Sequence, residues 1–387
     1  MEILITSFTY SPETSGVSIV TQYIAEGLCQ LGNDVTVVTR TNGHAYPAAE
    51  LINGVKVIRF DMGLSLFKKN IGDCNAYIEY VKNAPKDVLI MECVQCHTTD
   101  ILLPYLSEMK CKVILHSHGG PGVNMNMFGW EGDLLHTIGH THNWWRFKQY
   151  YKHTLPLAAK YIDQVLCLSL CASDLNYMNK TFSKVAILEN AAADIFFDEQ
   201  MYSNDVSQIV GNNTENYILC IANYISNKSQ IDVLHAFENM KDKECSLIFI
   251  GSNETDYYHK LETEIKNTPG LSNRVKALTH IDRNVFPALI KGAKMFVMAS
   301  KHEEYPVSLV EAMAVGTPFV STNAGCARIL PGGVVVDNRD DLSLYMDMVN
   351  SMPELRSRLG LRGKQYALEN NQKSDVVQKL NKIIKSL

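Results

Sequence analysis

Short apolar runs alternate with helix-periodic stretches along almost the whole chain, and that alternation leaves few folds open to it. Ile3-Leu4-Ile5 is such a run, ending in Thr6 and Ser7 as a buried parallel strand does. Residues 12–16 run from Pro12 to Gly16 and read as a loop. Val20, Ile24, Leu28 and Leu31 then recur at helical spacing, and Gly32 supplies the stop. Val35 to Val38 is the next strand, which completes a βαβ unit with its right-handed crossover. Val55 to Phe60, Val88 to Met91, Val113 to Leu115 and Val165 to Leu168 extend the same sheet. A polar, aperiodic stretch over 198–216 reads as a linker. Beyond it a second series begins, with strands expected at Ile218 to Ala222, Leu247 to Ile250, Val275 to Leu278, Met295 to Met298, Pro318 to Ser321 and Val334 to Val336. Helices are expected between them, over Ile231 to Met240 and Val307 to Val315. The fold class is therefore α/β: two doubly wound Rossmann-like domains facing a cleft.

Composition narrows the function. The 387 residues, 46% of them hydrophobic, suffice for two domains with their own cores. A formal net charge of −5 argues against nucleic acid as the main partner. Ten cysteines sit mostly in apolar runs and read as reduced, buried small hydrophobes. Cys93 and Cys96 have C-x-x-C spacing, but no second pair mirrors them as a zinc ribbon requires. No apolar run approaches the ~18 residues of a membrane span, and the start lacks a basic signal-peptide region, so a cytoplasmic protein is expected. A dinucleotide dehydrogenase is disfavoured, because no G-x-G-x-x-G follows the first strand.

The most informative segment runs from Ser300 to Pro318. It follows the strand Met295 to Met298, at the end where open α/β sheets bind ligands. Pro306 suits the first turn of the next helix. The backbone N–H groups near Tyr305, Pro306 and Val307 are then expected to face a phosphate. Glu303 lies before that helix and Glu311 within it, and each carboxylate can accept two hydrogen bonds from sugar hydroxyls. On spacing alone, both are equally well read as solvated acids favourable to the helix dipole.

The segment resembles the E-x7-E signature of family 4 retaining glycosyltransferases, which have the GT-B fold. Glu303 and Glu311 match its acids, and Glu311-Ala312-Met313-Ala314 with Gly316-Thr317-Pro318 match its surroundings. Residues 12–16 resemble the family's N-terminal glycine loop, and Asn190 the asparagine ending the first domain's last strand. Ile221 to Gln230 resembles the opening of the nucleotide-binding domain. Gly360-Leu361-Arg362-Gly363 resembles the family's C-terminal helix, whose tail crosses back onto the first domain. The organisation this implies is an acceptor-side domain over 1–197, a linker over 198–216, a nucleotide-sugar domain over 217–367 and a helix over 368–387 packed on the first domain.

By resemblance, Glu311 anchors the donor's ribose, Glu303 meets the transferred sugar and Lys228 neutralises the diphosphate. Gly16 admits the phosphates closely. Asn223 stands where the family has an arginine, Ser15 where it has a second glycine, and Glu304 where a glycine follows the first acid. The family's strand-end histidine, beside the reacting sugar carbon, is matched best by His118, with His116 the second choice. His116 and His118 otherwise read as structural hydrogen-bonders.

His136, His140 and His142 could bind zinc, but no acidic fourth ligand is spaced near them, so no metal is expected. Aromatics follow at once, interleaved with Arg146, Lys148 and Lys152. Residues 130–151 therefore read either as an acceptor-side or membrane-edge segment, with Trp144 and Arg146 as candidates, or as an aromatic helix packed on the core. The function expected is sugar transfer, without a cofactor, from a nucleotide-sugar, UDP-linked by family precedent, to a glycan or lipid-linked acceptor in cell-surface polysaccharide synthesis. Peripheral contact with the inner face of the membrane is compatible with it. Rival readings are a GT-B nucleotide-sugar epimerase and a catalytically inactive glycan-binding scaffold.

Overall fold

The computed structural model describes the chain apart from residues 14, 42, 66–68, 125–133 and 212–215, with backbone alone for 121 and 134–140. The chain divides into two compact units, one of Met1–Glu189 with Val376–Leu387, the other of Asn190–Asp375.

Among the described residues, ten strands belong to the first unit: β1 (Glu2–Thr6), β2 (Asp34–Arg40), β3 (Ala49–Ile52), β4 (Val55–Phe60), β5 (Met62–Leu64), β6 (Asn70–Gly72), β7 (Val88–Glu92), β8 (Lys112–His116), β9 (Gln164–Cys167) and β10 (Val185–Ile187). Eight of them form one sheet in the order β10-β9-β8-β7-β1-β2-β4-β3, while β5 and β6 make a separate ribbon. The expected apolar runs are its parallel strands, with Ile3 in register with Val35 on one side and Val88 on the other. At the edge, β3 pairs antiparallel with β4. Its residues are half-buried or exposed, so it lacks the apolar run that marks a central strand.

The expected first helix spans Gly16–Gln30 and turns Val20, Ile24 and Leu28 inward. Ser15 caps it, its hydroxyl accepting from the Ser18 N–H at 3.2 Å. Gly32 ends it at φ +84°, a conformation that costs a glycine little. Gly27 is required for another reason: a Cβ there would lie 2.7 Å from Cγ2 of Val377. The last helix, Lys373–Lys385, presses Val376, Val377, Leu380 and Ile384 into the first unit.

The second unit holds β11 (Tyr217–Ile221), β12 (Ser246–Gly251), β13 (Val275–Thr279), β14 (Met295–Met298), β15 (Phe319–Thr322) and β16 (Gly333–Val336), all parallel, in the order β13-β12-β11-β14-β15-β16. The Val307–Val315 helix is buried almost all round. It lies against the Pro353–Asn370 helix, where a Cβ at Gly360 would strike the Gly316 carbonyl and one at Gly363 would meet Met313 Cγ at 3.0 Å. Residues 198–211 carry the short helices Glu199–Ser203 and Ser207–Val210 and cluster with the second unit. The Tyr202 hydroxyl donates to the Phe196 carbonyl at 2.8 Å, and Lys276 Nζ donates to the Ile209 carbonyl at 2.8 Å. Polar side chains turned to backbone carbonyls thus order a stretch whose sequence shows no periodicity.

All ten cysteines are unpaired, and Cys171 is exposed rather than buried. Strand order reverses between β1 and β7 in the first sheet and between β11 and β14 in the second, and ligands of such sheets bind at those switch points. Truncating Leu380 to alanine should leave a cavity under the last helix and cost about 2–5 kcal/mol. Urea unfolding followed by circular dichroism measures this; a midpoint equal to wild type would contradict the packing.

Candidate functional site

In the second unit, the loops after β11 and β14 are tied together by one side chain. Asn227 donates from Nδ2 to the His302 carbonyl at 2.9 Å, accepts at Oδ1 from the His302 N–H at 3.2 Å, and its carbonyl accepts from the Lys301 N–H at 2.8 Å. That clamp sets Lys228 against Glu303, and the two form a partly buried ion pair. Gly325, at φ +58°, closes the far side of the loop, since a Cβ there would lie 2.7 Å from the Glu303 carbonyl.

Glu311 sits in the first turns of the Val307–Val315 helix, its carboxylate buried and paired with the guanidinium of Arg283, which is half exposed. Burial pushes the Glu311 carboxyl up to about 7, with Arg283 opposing. Sequence reading missed Arg283, which reaches Glu311 from the loop after β13.

Pro306 is the N-cap of that helix and has no N–H; its carbonyl accepts from Leu309 N–H at 3.0 Å. Of the expected set at Tyr305, Pro306 and Val307, Pro306 can therefore offer no donor, and the helix opens with the N–H groups of Val307 and Ser308. The Tyr305 side chain is buried in the unit, its hydroxyl accepting from Asn371 Nδ2 at 2.8 Å. Asn371 also donates to the Asn190 carbonyl at 2.9 Å and accepts from Ala192 N–H at 3.0 Å. Asn223 is exposed, and its Oδ1 accepts from the Ser252 hydroxyl at 2.6 Å, which leaves its amide N–H groups to donate.

In the first unit, Glu92 ends β7 and stands in register with His116, the last residue of β8. His118 follows at φ +57°, and this left-handed turn brings its Nε2 against Oε2 of Glu92. His116 Nδ1 is 3.0 Å from the same oxygen. Two imidazoles therefore share one fully buried carboxylate, and Glu92 is a residue that the sequence reading missed. Burial alone would raise Glu92, but the two imidazoles outweigh it and hold the carboxyl at about 2. Burial, and then the neighbouring His116, push His118 down.

The three ligand atoms lie within 4.8 Å of one another and form a donor set that suits zinc. One carboxylate oxygen touches both rings directly, which is the geometry of a carboxylate–imidazole cluster. Of the zinc-ligand candidates in sequence, the side chains of His136 and His140 lie outside the described residues, and His142 is exposed. Gly16 opens the first helix, and a Cβ there would meet nothing within 4 Å. Trp144 lies under Lys148, whose Nζ is 4.6 Å from the ring centroid. Its neighbour Trp145, rather than Trp144, lines a pocket together with Arg146. Asp340 and Asp341 sit in a surface turn beyond β16. No helix among the described residues is long and apolar enough to cross a membrane.

Because native Glu311 holds its proton to a higher pH than an unfolded glutamate, the native state binds more protons between about pH 4.5 and pH 7. Stability contributed by this group falls as pH rises through that window. Glu311→Gln should remove this slope, so the drop in urea midpoint between about pH 5 and pH 7 shrinks relative to wild type. An unchanged drop would refute the burial argument.

Residues 203–366 match the family described as Glycosyl transferases group 1. A 2-deoxystreptamine N-acetyl-D-glucosaminyltransferase of Niallia circulans is 31% identical over 88 residues, 23% of this chain. The chain spans 22–36% of the length of the curated relatives it matches. Over the whole chain the fold is similar to sucrose-phosphate synthase from Thermosynechococcus elongatus, with TM-score 0.78, 14% identity and 98% of that chain covered. It is likewise similar to HepE of Anabaena, solved with UDP, with TM-score 0.71, 16% identity and both chains fully covered. With the paired acids and the buried helix that carries the second of them in place, the region over 203–366 is similar to the group 1 glycosyltransferases, and the whole chain has the GT-B fold of these solved structures.

Proposed function

We propose that the chain is a retaining glycosyltransferase that moves a hexose-type sugar from a nucleoside-diphosphate sugar to a glycan or lipid-linked acceptor. The observation that carries this reading is the pair of carboxylates beyond β14. Glu303 stands before the following helix and Glu311 within it, and each is matched to a cation from a neighbouring loop. In this reading Lys228 turns from Glu303 to the donor diphosphate, and the N–H groups of Val307 and Ser308 add partial positive charge at the helix start. Glu303 then accepts from hydroxyls of the transferred sugar, and Glu311 from the ribose, sharing its oxygens with Arg283. Asn223 donates to the phosphates from the amide that Ser252 orients.

The charge on the departing diphosphate is met by groups fixed in advance, so little reorganisation accompanies transfer. Uridine is the favoured base, because HepE of similar fold was solved with UDP and with UDP-glucose. His118 is the proposed group of the first unit acting in turnover. The setting this implies is cell-surface polysaccharide synthesis on the cytoplasmic side, at the inner face of a membrane. Release of the sugar to an acceptor, rather than its return as an isomerised nucleotide-sugar, separates transfer from epimerisation, and donor binding without turnover marks an inactive scaffold.

Calorimetric titration with UDP tests the donor site. Glu311→Ala should weaken binding by about 1.5–3 kcal/mol, the cost of losing hydrogen bonds to a charged acceptor. Wild-type affinity in that variant would sink the assignment. His118→Ala should lower turnover far more than it weakens UDP binding; the reverse order would remove His118 from the chemistry.

A further inference from the structure

The end of β7 carries more backbone strain than a connection requires. Cys93 and Gln95 both adopt left-handed conformations, at φ +70° and +56°, which non-glycine residues hold only when their surroundings enforce them. The Gln95 N–H points to the Tyr150 hydroxyl at 3.4 Å. Tyr150 opens a single π-helical turn, Tyr150–Thr154, a distortion that recurs at functional sites. Between these elements lies a pocket of about 240 Å³ whose wall includes Gln95, Asp100, Trp145, Arg146 and Tyr150.

Two polar atoms in that wall, Nε2 of Gln95 and Oδ1 of Asp100, are buried without a hydrogen-bond partner. Such atoms are costly to leave unsatisfied, so they point to a ligand that satisfies them. Gly122 makes the arrangement possible, since a Cβ there would collide with the Gln95 amide and lie 2.9 Å from Cγ of Phe147. Trp145 is 56% exposed, an indole face left open beside these polar groups.

The chemistry of the wall selects among ligands. Burial raises the Asp100 carboxyl to about 7, with Tyr150 and Arg146 opposing, so neither an anion nor a cation finds a wall of matching sign across Asp100 and Arg146. An uncharged ring bearing hydroxyls suits both, because each hydroxyl donates to a carboxylate and accepts from an amide or guanidinium. An aromatic face can cover the apolar side of such a ring. The volume lies below the ~300–1,000 Å³ of pockets that take drug-sized ligands, so it holds one ring.

We propose that this pocket seats a single neutral pyranose ring of the acceptor, held by Gln95, Asp100 and Arg146 against Trp145. The assignment rests on the glycosyltransferase reading for the word acceptor, but not for the binding of the ring.

Saturation-transfer NMR on the full chain, with the methyl pyranosides of glucose, mannose, galactose and N-acetylglucosamine as probes, tests it. At least one glycoside should bind the wild type, and Trp145→Ala and Asp100→Asn should each weaken it at least about tenfold. UDP affinity measured on the same samples should stay at the wild-type value, which also reports that both variants are folded. Glycoside binding that survives both substitutions, or no glycoside binding in a wild type that binds UDP, overturns the pocket. Glycoside binding lost in the variants, in a chain that neither binds UDP nor transfers sugar, upholds the pocket and overturns the glycosyltransferase reading instead.

Discussion

A carboxylate taken out of water must be matched, and the candidate sites of both units are organised around that constraint. Glu311 is matched by Arg283, Glu303 by Lys228, and Glu92 by two imidazoles. A buried ion pair contributes little to stability once its desolvation is counted, whereas an unmatched buried charge is costly. The partners are therefore best understood as holding the acids ready in an ionisable, hydrogen-bonding state. Arg283 is half exposed while Glu311 is buried, so the guanidinium links the buried carboxylate to the surface.

Much of the fold was legible in the sequence because central parallel strands are buried on both faces. Ile218 to Ala222 and Val113 to Leu115 read as continuous apolar runs, and they are β11 and the middle of β8. The edge strand β3 was not legible because Glu50 interrupts its apolar residues, and β10 because its apolar run Val185–Ile187 is only three residues long. Residues 198–211 failed for a different reason. Their order comes from side chains such as Tyr202 and Lys276 bonding to backbone, which leaves no periodic trace.

The site divides in the same way. Glu303, Glu311 and Lys228 were found because a motif marks them, yet their partners were not. Arg283 reaches Glu311 across 28 residues, and Glu92 reaches His118 across 26. Only the strand register that sets Glu92 beside His116 brings the second pair together. Trp145 and Trp144 are adjacent in sequence, and only the packing of Lys148 over one ring tells them apart. Ser15 shows how a departure from a family pattern can have a local cause, since its hydroxyl caps the first helix.

Asn371 has a consequence that reaches beyond Tyr305. Its amide holds the Asn190 carbonyl, and its own carbonyl takes the Ala192 N–H. The place where the chain passes into the second unit is thereby fastened to the place where it leaves, within that unit. In topological terms the second unit is an insertion into the first, opened and closed at one buried amide. An insertion whose ends meet can be exchanged, lengthened or permuted while its host keeps the same two chain ends to join.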